Sequence, residues 1–161
     1  ASAHVRIVFN RMGLQGKDVV ALMGAHTIGR GFQDRSGVCP FFSGEQGATK
    51  YTKVTSSAHG SLDLKKRDKG IGMAGGCSWT KNWLQFDNSY YRRPFEDANN
   101  KELLWLPTDE ALVQYPLYKE DFVRYSKDQQ AFFNDYAVAH KKMSELGAKF
   151  ERYVFIPFKE K

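Results

Sequence analysis

A mainly α-helical domain is predicted by three features of the 161-residue sequence. Apolar residues recur at helical spacing in several segments, the expected stop signals follow them, and a strand-like run is confined to one short stretch near the end. Residues 1–37 read as a helical opening, 38–78 as a Gly/Ser/Lys-rich insertion and 79–161 as the remainder of the helical domain.

Val5, Val8, Phe9 and Met12 share one helix face and Gly13 stops it. A second helix is expected from Lys17-Asp18 through Val19–Met23 to His26-Thr27, with Gly29 just beyond, so His26 sits at a helix C-terminus. No period survives between Val38 and Cys77, where runs such as Gly70–Gly76 dominate; a loop this long inside a compact domain is expected to be functional or inserted. Trp79 to Tyr91 is read as the opening of a helical stretch, Thr108-Asp109-Glu110 as a capped helix start, and a short helix is expected after Pro116. Ser126 and Gln129 form a capping box ahead of the clearest helix, with Phe132, Phe133, Tyr136, Ala137, His140 and Met143 on one face and Gly147 at its end. Tyr153–Ile156 is β-branched and aromatic, a terminal strand or a packing arm.

Composition narrows the function classes. Hydrophobic residues at 42% are an ordinary globular share, and no run approaches the roughly 18 apolar residues of a membrane helix. The net charge of +6 is half contributed by residues 38–78, and Lys65-Lys66-Arg67 has no aromatic platform beside it, so a basic solvated loop is preferred to a nucleic-acid site. Cys39 and Cys77 are too sparse for a disulfide framework and are expected to be free thiols in a reducing compartment.

Four groups carry the chemistry by their order: Ala21–Arg30 with His26 inside it, Arg35-Ser36-Gly37, Ser78-Trp79-Thr80 with Phe86–Tyr90, and Leu106-Pro107-Thr108-Asp109. Singly, a histidine at a helix end is more often a cap, a tryptophan is usually core, and an aspartate in a first turn simply suits the helix dipole. Together, and continued by Asp128–His140 and Leu146–Phe150, the series closely resembles class I haem peroxidases of the ascorbate peroxidase type. Lys50–Lys53 and Gly75–Thr80 resemble the plastid members. The resemblance implies the proximal, C-terminal helical half of the haem peroxidase fold, interrupted by a long insertion loop.

The same resemblance implies roles. His26 would bind the iron of haem b, Asp109 would orient its imidazole and also hold the Trp79 indole, and Gly24 and Ala25 would let the backbone approach the porphyrin. Thr27, Thr80, Asn82, Gln85 and Asp87 match a site for potassium or a similar cation, a hard-oxygen set whose charge would disfavour a positive Trp79 radical. Against this stands the plainer expectation that these polar residues cap helices. Arg35 matches the arginine that meets ascorbate at the haem edge. The chloroplast is the expected compartment, with the mitochondrion as the alternative.

Two departures set limits. Peroxide cleavage in this family needs a distal arginine and histidine, and His4, His59 and His140 do not sit in such a motif; nor does Arg92–Glu96 contain a histidine. The chain alone is therefore not expected to turn over peroxide and would need a distal half as partner. Phe32 stands where relatives carry a basic side chain against a haem propionate, with Arg30 or Arg35 as candidates to compensate. The alternative is a non-catalytic, peroxidase-like accessory or structural subunit of a larger organellar complex, such as one of a photosynthetic membrane. The firmest structural expectation is that Asp109 accepts hydrogen bonds from both His26 and Trp79.

Overall fold

The computed structural model describes residues 1–36, 48–52 and 75–150. Helix α1 (Ser2–Asn10) buries Val5, and the chain leaves it through Gly13 at φ +72°, a left-handed turn that glycine adopts without steric cost. Helix α2 (Lys17–Met23) is apolar over Val19, Val20, Ala21 and Leu22, all of them buried, and tightens into a 3-10 turn at Gly24–Thr27. The helix end expected at His26-Thr27 is thus present, with its last turn narrowed.

Beyond Thr27 the chain reverses, with the Gly29 N–H donating to the Trp83 carbonyl at 2.8 Å. It then forms β1 (Arg30–Gly31), followed by α3 (Gln33–Ser36). Strand β1 pairs antiparallel with β2 (Cys77–Ser78), Arg30 opposite Ser78 and Gly31 opposite Cys77. Two-residue strands are too short to leave a period in the sequence, and this ladder was not expected. It brings the far end of the insertion back onto the first helices. A Cβ on Gly76 would lie 2.5 Å from the Gly31 carbonyl oxygen, so the ladder requires glycine there.

The stretch from Trp79 corrects the expected helix: residues 79–88 are turns, and α4 begins only at Ser89 and runs to Glu96. Local polar bonds compete with the helix here, since the Asp87 carboxylate accepts the Ser89 N–H at 2.8 Å. Helices α5 (Pro107–Gln114), α6 (Pro116–Lys127) and α7 (Gln129–Ser144) follow. The cap of α7 is Asp128, whose Oδ1 accepts the Ala131 N–H at 2.9 Å; Ser126 stays in the last turn of α6 and donates to the Val123 carbonyl. The capping box expected from Ser126 and Gln129 is therefore not formed: Asp128 alone caps α7, and the Gln129 side chain accepts the Asn88 N–H at 3.2 Å instead.

Helix α2 lies at the centre, against α6 and α7, with α4 packed on α6 and α5 on α1 and α6. The core is aromatic: Tyr90, Tyr91, Tyr118, Phe122, Tyr125 and Phe132 are all fully buried. At about 25 cal/mol per Å² of apolar surface, such rings are the main favourable term in this half of the molecule. Helix α7 buries Phe132 and Ala139, with Phe133, Tyr136 and Met143 partly covered, whereas Ala137 and His140 are exposed. The apolar face is therefore rotated slightly from the one expected.

Cys77 is buried and disulfide-bonded, which corrects the expectation of free thiols; Cys39, the other cysteine of the chain, lies outside the described residues. Cysteine number says nothing about distance in space, which decides whether a bridge can form. Lys65-Lys66-Arg67, most of the 38–78 insertion and the Tyr153–Ile156 run also lie outside the described residues. Among the described residues no helix is long and apolar enough to cross a membrane.

Candidate functional site

Pro107 opens α5 and places Asp109 in its first turn, where the carboxylate accepts the Leu106 N–H at 2.7 Å. The cap is only part of its work. Asp109 Oδ1 also lies 2.8 Å from His26 Nδ1 and accepts the Tyr90 hydroxyl at 2.8 Å, while Oδ2 accepts the Trp79 indole N–H at 2.9 Å. The carboxylate is 0% exposed and all four acceptor directions are filled. The trio expected from residues 26, 79 and 109 is thus assembled from three distant segments.

The rings pack as closely as the hydrogen bonds require. His26 stacks on Trp79 with centroids 4.2 Å apart and an interplanar angle of 14°, and Tyr90 meets the imidazole edge-on at 5.6 Å. A carboxylate only accepts, so Nδ1 is the ring nitrogen that donates to Asp109, and in the neutral imidazole Nε2 then carries the lone pair. Among the described residues Nε2 has no hydrogen-bond partner, and the side chain is 27% exposed. A neutral imidazole oriented by a carboxylate, with its second nitrogen open, is the form that binds a metal ion. On that ground the residues fit a haem iron at His26.

Tyr90 was part of the sequence pattern without a role. The signal was available, since a tyrosine buried in a helix must find an acceptor for its hydroxyl. Burial first, then the neighbouring Asp109 charge and hydrogen bond, push its hydroxyl well above the usual tyrosine range, so it stays a donor. Gly24 has a different reason to be small from closeness to a porphyrin: a Cβ there would lie 2.2 Å from the Tyr91 hydroxyl and 2.5 Å from Phe132, so it is the core that excludes a side chain. Ala25 is half-buried beside His26.

The residue after His26 belongs to a second cluster. Thr27 Oγ1 donates to Asp87 Oδ1 at 3.0 Å and lies 3.2 Å from Ser89 Oγ, while Thr80 Oγ1 donates to the Thr27 carbonyl at 2.7 Å. Thr27, Thr80 and Asp87 are buried together; Asn82 and Gln85 are exposed, and Asn82 lines a polar cavity of about 110 Å³ with Thr80, Asp87 and Ser89 but also with Lys81, Arg92 and Arg93. Three of the five expected cation ligands are therefore gathered as buried oxygens, with Ser89 as an added one.

At the third expected position, Arg35 is exposed and its guanidinium lies 4.3 Å over the Phe32 ring; that of Arg30 lies 4.9 Å from the same ring and 4.5 Å from Trp83. Arg30 also donates to the Gly75 carbonyl at 2.8 Å. Phe32 thus gathers two cations by cation–π attraction.

Comparison with known proteins agrees with this geometry. The family model described as peroxidase matches residues 1–128. The chain is 47% identical over 148 residues to a probable L-ascorbate peroxidase 8, chloroplastic, of Oryza sativa subsp. japonica, covering 92% of this chain and 26% of that protein. It is 47% identical to L-ascorbate peroxidase T, chloroplastic, of Arabidopsis thaliana (92% of this chain, 30% of the relative) and 39% identical to L-ascorbate peroxidase 2, cytosolic, of the same plant (89% and 42%). The chain spans less than half the length of each of these relatives.

Proposed function

The chain belongs to the peroxidase family, and from that premise we propose that it supplies the proximal half of a haem-dependent, ascorbate peroxidase-like enzyme that reduces hydrogen peroxide. The observation that carries this is the buried Asp109 carboxylate, which fixes the His26 tautomer and the Trp79 indole at once and leaves Nε2 open. Haem b, when bound, supplies the two-electron chemistry with peroxide. His26 would hold the iron through Nε2. Asp109 keeps the proton on Nδ1, gives the imidazole anionic character and prevents the ring from turning. Trp79 stacks on the imidazole and fixes its ring plane.

Thr27, Thr80 and Asp87 are assigned to potassium or a similar cation, with Asn82 and Gln85 as outer ligands; hard buried oxygens around one carboxylate suit such an ion. Arg35 is assigned to ascorbate, an anion its exposed guanidinium suits. The partner is a distal half carrying the arginine and histidine that move protons across the peroxide bond. The compartment is the chloroplast: relatives named chloroplastic are 44–47% identical, against 39% for the cytosolic one.

A second reading, a non-catalytic accessory subunit, draws on one observation: Arg30 and Arg35 both stack on Phe32, which sets them against an aromatic ring at the place expected for a propionate contact. Haem titration separates the two. The enzyme reading expects a Soret band and a resonance-Raman iron–imidazole stretch that shifts down in Asp109→Asn and disappears in His26→Ala, with ascorbate-dependent peroxide turnover only when a distal half is added. Failure to take up haem in the presence of that half, or uptake unchanged in His26→Ala, sinks it in favour of the accessory subunit.

A further inference from the structure

Among the described residues only two buried side-chain polar atoms lack a hydrogen-bond partner, Nε of Arg92 and Nε of Arg93. They come from adjacent residues of α4, and both side chains line the polar cavity of about 110 Å³ beside Thr80 and Asp87. A buried N–H with no acceptor is costly, and in a native fold it marks a place where water or a ligand completes the shell. Two such donors on one cavity ask for an acceptor between them.

The charges around the cavity point the same way. Three carboxylates share it, and each is engaged: Asp97 pairs with Lys81 at 2.7 Å, Glu96 meets Arg92 at 3.5 Å, and Asp87 Oδ1 accepts the Thr27 hydroxyl and the Ser89 N–H. Arg93 is 6% exposed, donates to the Leu103 carbonyl at 3.2 Å and lies over the Trp105 ring, but among the described residues it forms no ion pair. Burial holds its guanidinium below the ordinary arginine range, which the more distant charges of Asp109, Asp97 and Glu110 oppose without cancelling. A buried cation without a counter-ion in contact is an unfinished arrangement.

We propose that this cavity binds a small free oxyanion of the phosphate or sulfate class, held by Arg92 and Arg93 through their Nε–H groups, with Lys81 and Asn82 at its exposed side. The flat guanidinium fork matches the oxygens of a tetrahedral anion. The volume admits one such ion and is well below the roughly 300 Å³ of a typical organic-ligand pocket, which favours the free ion over an ester. Both Nε atoms are covered until the ion enters; the contact that gives way is the 3.5 Å pair of Arg92 with Glu96, whose side chain is 55% exposed. Once bound, the ion ties Lys81 and Asn82, on the turn that carries Trp79 and Thr80, to α4. It therefore braces that turn.

Calorimetric titration of the full chain with inorganic phosphate, in potassium chloride at fixed ionic strength, tests the site. We expect one saturable site with a dissociation constant below about 1 mM. Arg92→Lys and Arg93→Lys keep the charge but lose the fork, and each should weaken binding about tenfold, the loss of one charge-assisted hydrogen bond. Glu96→Gln frees Arg92 and should tighten it about threefold, while Arg124→Lys, a change to a cation elsewhere, should leave it within about twofold. Amide exchange over residues 79–88 should slow with phosphate in wild type and not in Arg92→Lys. Circular dichroism shows which variants keep the fold; if the buried Arg93→Lys does not, Arg92→Lys and Glu96→Gln still decide. No saturation up to about 10 mM phosphate, or binding as tight as wild type in Arg92→Lys, overturns the site and leaves the two donors to water. Neither haem nor peroxide enters the assay, so the anion site and the peroxidase reading fail separately.

Discussion

Asp109 and Asp135 are both carboxylates holding three or more donors, in opposite surroundings. Asp109 is fully buried and held by an imidazole N–H, an indole N–H, a phenol and a backbone amide. Asp135 is partly exposed and held by Lys17, Arg124 and the Tyr125 hydroxyl, tying α7 to α2 and α6. A charge in the interior must be matched bond for bond, because nothing else replaces water. Near the surface, cations do the same with loose geometry and little net gain. The first arrangement fixes angles and is suited to a site; the second fastens helices.

The sharpest break of this contrast is Asp109→Ala. It strips the acceptor from four donors, and with each buried orphan costing about 1–3 kcal/mol we expect a loss of about 4 kcal/mol, or no cooperative folding. Urea unfolding measures it, and a loss below about 1 kcal/mol would mean that the cluster is not a unit. Next in size, Tyr90→Phe removes one of the four donors and keeps the ring, with an expected cost of about 1 kcal/mol on the same assay.

At Asp135 the effect should depend on solution conditions. Partial burial works to raise its carboxyl, but hydrogen bonds from Arg124, Lys17 and Tyr125 outweigh it and hold the group below the ordinary carboxylate range. A folded-state value below the unfolded one gives stability that is present above the unfolded value, near pH 4, and is lost as pH falls through the folded one. Wild type should therefore lose its advantage over Asp135→Asn between about pH 5 and the acid limit, and 1 M salt should shrink it. An advantage that grows on acidification contradicts the assignment. Smallest of all, Lys142→Ala removes an exposed pair with Asp18 and should cost under about 0.5 kcal/mol, read as a small change in the urea midpoint.

The helices at the two ends of the described chain were legible because their signals are local. Val19–Leu22 are continuous and apolar, and Asp128 to Ser144 carries a helical period; only the cap slipped, since Ser126 and Asp128 both suit that position and the sequence does not rank them. Trp79 to Asn88 failed for the opposite reason: its apolar residues suggest a helix, but Asp87, Thr80 and the neighbouring Ser89 are drawn off by Thr27 from 53 to 62 residues away. The β1–β2 ladder and the bonding state of Cys77 left no trace in any local window.

By itself the sequence determined the helical class, the family resemblance and the identity of the trio, because residue types in a fixed order survive in one dimension. Tertiary structure alone decided that Tyr90 completes the Asp109 shell, that Gly24 is small for the sake of Tyr91 and Phe132, that Phe32 gathers Arg30 and Arg35, and that three tyrosines line up toward Asp135. Apart from Tyr90 and Tyr91, which are neighbours on α4, each of these depends on a distance between residues far apart in the chain or on different elements. Such distances are set by how α2, α4, α6 and α7 pack, and the close packing of a protein interior lets a single placement satisfy every buried donor at once.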